Sequence, residues 1–292
     1  MSHGDWDKDL VAMRTRYWAR EVKKAAGFEG KKNKDFVDAC RFGNTKLADL
    51  GGMTWEGYLA GKKNPVYKSV DAVEKVLPGT AVSFYKGPKG LELWNILSGN
   101  TNAAQELLDS TLEAEYGSGS GNTVSKWDLG QKVFWLVLSI LAFPLAPFVE
   151  QMTRESLIRE GEKLPWSDIQ SLVDRGTINI PMDGGEIRLA SLLAACDDTR
   201  KIYTLDSTFS TFGPRLVSYA FERHSSGAVD LGFSPEFIVA ALGLLPLAEA
   251  ASNNRLAHIA KVLNQGLILG VIGYEMPDVQ PDLESYVQKR LI

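Results

Sequence analysis

The sequence predicts a mainly α-helical protein, with a helix-turn-helix-like N-terminal domain and a larger helical C-terminal domain carrying one short β-hairpin. Three observations carry that expectation. Apolar residues recur at three- and four-residue spacing through most of the chain. In the first hundred residues the helical runs are short and are separated by Gly and Pro at positions suited to helix ends. Alternation of the kind that makes strands is confined to one stretch, GTINIPMDGGEIRLA at 176–190.

A chain of 292 residues is long enough for two cores. Hydrophobic content of 45% and charged content of 23% are ordinary for a soluble globular protein. Cys40 and Cys196 are far apart and form no C-x-x-C pair, which argues against a disulfide scaffold or a zinc site and fits a reducing cytoplasm. The polar, acidic start MSHGDWDKDL does not read as a secretory signal. Net charge is −4, unevenly spread: residues 1–100 hold 17 Lys/Arg against 12 Asp/Glu, and the remainder 15 against 24. A basic front and an acidic back is the asymmetry of a chain whose first part meets a polyanion and whose second part meets protein.

The elements follow in order. Residues 7–27 place Leu10, Met13, Tyr17 or Trp18, Ala19 and Val22 at helical spacing, with Arg14, Arg16, Arg20, Lys23 and Lys24 on the remaining face and Gly27 as the stop. A short helix is expected over 33–43, another over 44–52 with Thr45 as N-cap, and a third over 53–61 with Thr54 as cap and Gly61 in a left-handed terminal position. Pro65 suits the first turn of a helix over 65–77 that Pro78-Gly79 ends. Two more helices fit 92–117. The run GSGSG within 115–128 has no side chains to bury and marks a flexible linker, dividing the chain into 1–116, a linker 117–126, and 127–292.

Beyond that break, 133–149 is a 17-residue stretch without charge, just under bilayer-spanning length, and Pro144 and Pro147 interrupt it. With the apolar segments 237–251 and 262–273 it reads as core, or as a self-association surface; a membrane-acting effector using 133–149 is the alternative. A helix capped by Ser167 precedes the 176–190 hairpin, which reads as a local hairpin on a helical core.

The stretch Tyr58-x-x-Gly61-Lys62-Lys63-x-Pro65, followed by Val70, Val73 and Val76 at helical spacing, resembles the end of a Cro/lambda-repressor-type (Xre-like) helix-turn-helix domain over about residues 44–78. In such a unit the second helix enters the major groove. The resemblance implies a DNA-binding transcriptional regulator of bacterial or mobile-element type, acting by occupancy and commonly as a dimer. It implies phosphate-contacting roles for Lys46, Lys62 and Lys63, groove-facing roles for Thr54 and Glu56, and core roles for Trp55 and Tyr58. Gly51-Gly52 stands where the family begins its recognition helix, and glycines there would fray it and offer nothing to a base edge. That departure favours a second reading: an interaction protein, antitoxin-like or a mobile-element accessory factor, whose helix-turn-helix fold no longer meets DNA.

The loop LPGTAVSFYKGPKGLELW at 77–94 combines glycines, Lys86, Lys89, Tyr85 and Trp94, but matches neither phosphate-binding fingerprint; its aromatics read mainly as pins that hold the loop to the domain. His3, His224 and His258 have no ligand partners at helical spacing, and Ser225, Ser226 and Asp230 near His224 lack a G-x-S-x-G elbow. No catalytic residue, metal site or cofactor is expected.

Overall fold

The computed structural model describes residues 6–43, 46–116, 124–133, 136, 179–182, 185–188 and 234–292. They are mainly helical. Helix α1 spans Lys8–Ala25, with the Asp7 carboxylate accepting from the Asp9 N–H at its start and two lysines in its last turn, where cations suit the helix dipole. Asn33–Phe42 forms α2, Trp55–Leu59 α3, Tyr67–Val76 α4, Thr80–Tyr85 α5, Leu93–Leu97 α6 and Thr101–Tyr116 α7. After the strands Asn179–Met182 (β1) and Gly185–Arg188 (β2), which pair antiparallel with Ile180 opposite Ile187, come α8 at Pro235–Ala250, α9 at Asn254–Gly266, α10 at Ile272–Glu275 and α11 at Gln280–Arg290.

Two apolar clusters organise these helices, and α1 serves both. Leu10, Met13 and Tyr17 face a large cluster built from α6, α7 and α8–α11. Trp18, Ala19 and Val22 face a smaller one with Phe36, Val37, Cys40, Leu50, Trp55, Tyr58, Val70, Val73 and Phe84. At 3.6 residues per turn these two sets lie on adjoining faces, so α1 is buried over a broad arc. Helix α8, apolar all round, is enclosed nearly all round. It meets α7 so closely that a Cβ on Gly243 would stand 3.1 Å from Ala104 Cβ. The small cluster is held by aromatic pairs about Trp55, whose ring lies 5.1 Å from Phe36 and 5.7 Å from Trp18. Its indole Nε1 donates to Leu50 O at 3.1 Å.

Several expectations are corrected. The helix expected over 44–52 is a 3₁₀ turn, Lys46–Leu50, and Thr45 lies outside the described residues. Pro65 is buried but precedes α4, which starts at Tyr67 with Val66 in the N-cap position. The apolar run 262–273 is broken by a π turn at Leu267–Val271. Within the segment read as linker, Val124–Lys126 is a 3₁₀ turn with Val124 fully buried. The two clusters do not divide at that segment, because α6 and α7 before it pack with α8 after it. Of the stretch 133–149 only Val133 and Leu136 have described side chains, and both are buried. Among the described residues no helix is long and apolar enough to cross a membrane. The Ser167-capped helix lies outside the described residues.

Candidate functional site

The loop Gly61–Asn64 is fixed to α1 at both ends. Gly61 has φ +67°, and a Cβ there would lie 2.5 Å from Arg16 Nη1 and 3.1 Å from Ala12 O. Only glycine combines that backbone with that approach. At the far end Asn64 Oδ1 accepts from Thr15 Oγ1 at 3.1 Å and from Arg14 Nη2 at 3.4 Å. Between these anchors the amides of Lys62 and Lys63 donate to Gly57 O at 2.9 and 3.2 Å, closing α3. The stem of Lys63 lies over Gly57. Lys62 and Lys63 are exposed, as is Lys46 on the 3₁₀ turn, and none of the three forms an ion pair among the described residues.

The remaining expected contacts separate. Thr54 is exposed in the N-cap position of α3, but its hydroxyl makes no capping bond. Glu56 is exposed yet tied to Arg41, with Oε1 2.9 Å and Oε2 3.0 Å from Nη2. Trp55 and Tyr58 are core. Helix α3 has five residues, about 7.5 Å of helix. Gly51 has a packing reason of its own: a Cβ there would stand 2.7 Å from Cys40 O, at the end of α2.

Arg16, Arg20, Lys23 and Lys24 of α1 are engaged within the molecule. Asp282 on α11 takes Arg16 through Nη2 at 2.7 Å and Nε at 3.1 Å, and Arg20 at 2.7 Å. Lys24 lies 3.5 Å from Glu29 and 3.7 Å from Asp278. Lys23 donates to Lys31 O and, at 3.0 Å, to Asn33 Oδ1. Arg290 and Asp7 close the same seam at 2.6 Å. A polar cleft of about 250 Å³ sits here, between the last turns of α1, the 29–33 loop and Asp278. Part of the basic front thus meets the acidic back of the same chain.

Sequence reasoning placed Arg14 on the charged face of α1, and the structure buries it at 1% exposure. It falls one turn after Leu10 and one turn before Trp18, where the two apolar faces meet. Its guanidinium lies 4.2 Å from the centroid of Phe84 and 4.8 Å from that of Trp6. Burial lowers its pKa to about 10. Nε and Nη1 have no acceptor among the described residues. The sequence signal was available but ambiguous: a cation inside the apolar arc of a helix.

The stretch 77–94, expected as a loop, holds α5, a 3₁₀ turn at Pro88–Gly90 and the start of α6, and its aromatics pin it. Trp94 is buried and donates to Ser83 O at 2.9 Å, Tyr85 bonds Asp71 at 3.3 Å, and Lys86 pairs with Glu92 at 2.8 Å. Cys40 is a buried thiol, pushed up to about 11 by burial. Exposed His258 stands on α9, and His3, His224 and Cys196 lie outside the described residues. Among the described residues no three His, Cys, Asp or Glu side chains gather as metal ligands. No protein-family model, curated protein or solved structure matches this chain.

Proposed function

We propose that the protein is a non-catalytic binding protein whose N-terminal helices meet the phosphate backbone of duplex DNA through Lys46, Lys62 and Lys63. It acts by occupancy, as a regulator in the cytoplasm would. The observation that supports this is the contrast between two sets of cations. Arg16, Arg20 and Lys24 are matched by carboxylates of the same molecule, whereas Lys46, Lys62 and Lys63 are exposed without one among the described residues. Lysines on a rigid loop give affinity without sequence information. The contact then lies within residues 46–63, and residues 127–292 include the part that self-associates or meets a protein partner. A gel-shift titration with random duplex tests it. Affinity should fall with a log–log salt slope of about −2 to −3, as three phosphate contacts require. The Lys46/Lys62/Lys63→Glu variant should abolish binding; binding by that variant equal to wild type refutes the reading.

The pairing of Glu56 with Arg41 and the five-residue length of α3 favour a second reading. In it the helix-turn-helix-like unit is an interaction scaffold that reads no bases. Absence of any duplex binding in the same titration, with a protein partner recovered on purification, selects it.

A further inference from the structure

A buried guanidinium normally has a carboxylate beside it, because an unmatched buried charge is far costlier than an unmatched exposed one. Arg14 has none at ion-pairing distance among the described residues. Two aromatic rings lie against it, Phe84 at 4.2 Å and Trp6 at 4.8 Å from the guanidinium carbon. Its one acceptor among the described residues is Asn64 Oδ1, at the 3.4 Å outer edge of a hydrogen bond and shared with Thr15. Trp18, one turn along α1 and 5.5 Å from the same Phe84 ring, also has a buried Nε1 without an acceptor among the described residues. Arg14 Nε and Nη1 and Trp18 Nε1 are thus three buried donors without an acceptor among the described residues, on two side chains that both lie against the Phe84 ring.

We propose that Arg14 anchors a binding site for an oxyanion, carboxylate or phosphate, carried on a flat apolar body. The oxyanion takes the place of Asn64 Oδ1, and Asn64, which is exposed, turns outward to solvent. The body is chosen by the walls. Tyr67 is 50% exposed and stacked on Tyr85 with ring centroids 6.0 Å apart, and it lies beside Val66, which is 65% exposed, so an aromatic platform reaches from the guanidinium to the surface. The site does not rest on the DNA reading, since Arg14 is no part of the lysine set.

The test is thermal unfolding of the full chain with phenyl phosphate, benzoate, inorganic phosphate and acetate, together with the arginine Nε–H signals in NMR. Phenyl phosphate or benzoate at about five times its dissociation constant should raise the midpoint by about 2–4 °C. It should also move one arginine signal. The head groups alone should do less, and the stronger of the two aromatic probes identifies the oxyanion. Arg14→Met should remove the response. Asn64→Ala, which deletes the competing acceptor and leaves the arginine in place, should tighten binding several-fold and covers the case in which Arg14→Met does not fold. No response to either aromatic probe, a response that survives Arg14→Met, or binding unchanged or weakened in Asn64→Ala overturns the proposal.

Discussion

Asp282 holds Arg16 with both carboxylate oxygens, Oδ1 at 2.7 Å from Nη2 and Oδ2 at 3.1 Å from Nε, across 266 residues of sequence. Its Oδ2 also takes Arg20 at 2.7 Å, so one carboxylate bridges two arginines on successive turns of α1. Helix α11 is seated below them by Leu283, Tyr286 and Val287, with the Tyr286 hydroxyl donating to Leu97 O at 3.2 Å. The clasp therefore orients a helix that the apolar core already binds.

Asp282→Ala should cost about 1–2 kcal/mol. It leaves two partly buried guanidinium groups without their carboxylate, Arg20 keeping only the Asp278 carbonyl at 3.1 Å, where hydrogen bonds to charged groups are worth about 1.5–3 kcal/mol when well shielded and less when exposed. Urea unfolding should show a lower midpoint with an unchanged slope. In 1 M salt the gap between wild type and variant should narrow, because exposed ion pairs are screened.

Glu74 caps a helix from outside it. Its carboxylate accepts the backbone N–H groups of Gly79 at 2.7 Å and Ala81 at 2.6 Å, at the start of α5. Burial alone would raise its pKa, but these bonds outweigh it and hold the group below its ordinary 4.5. A carboxylate lowered by folding stabilises the native state above its unfolded pKa and loses that contribution as pH falls through the folded value. Glu74→Gln should therefore be less stable than wild type by about 1 kcal/mol at pH 7. The difference should shrink as pH drops below 4.5; a difference that stays constant down to pH 3 contradicts the capping role.

The helical class and most helix positions were legible in the sequence for a physical reason. Leu10, Met13, Tyr17 and Val22 repeat at the period of the structure they build, and Gly27 and Gly61, both at positive φ, fall at the ends of α1 and α3. The turn at 46–50 was not legible, because five residues cannot distinguish a 3₁₀ turn from an α-helix by periodicity. The exposure of Lys46, Lys62 and Lys63 was foreseeable from charge alone. The engagement of Arg16 and Arg20 was not, since their partner comes from the far end of the chain. Arg14 was misplaced because pattern reading sends cations to water. What buries it is an aromatic pair supplied by Trp6 and by Phe84, 70 residues further along.

Gly61→Ala should loosen the basic loop. The substitution puts a Cβ on a residue at φ +67°, 2.5 Å from Arg16 Nη1 and 3.1 Å from Ala12 O. The left-handed conformation and the crowding against α1 together should cost about 1–2 kcal/mol. Arg16 can swing away only by giving up part of its contact with Asp282. Amide exchange should accelerate at Lys62 and Lys63, whose N–H groups bond Gly57 O. Any duplex affinity should weaken with no change in net charge, which separates loop geometry from simple electrostatics.

Trp55 links the small core to the candidate interface, and two substitutions separate its contributions. Trp55→Ala removes a fully buried ring that meets Trp18, Phe36 and Tyr58, and should cost about 3–5 kcal/mol. Trp55→Phe keeps most of the packing but deletes the Nε1 bond to Leu50 O, leaving that carbonyl at the end of the Lys46–Leu50 turn with the Met53 N–H at 3.2 Å, for about 1 kcal/mol. The loss in Trp55→Phe should be local: amide exchange rises across 46–50 while Lys62 and Lys63, fastened to α3 and α1, keep their protection. Affinity for duplex should then fall by the share of Lys46 alone, a smaller loss than Gly61→Ala produces. Equal losses in the two variants would mean that the turn and the loop move as one unit.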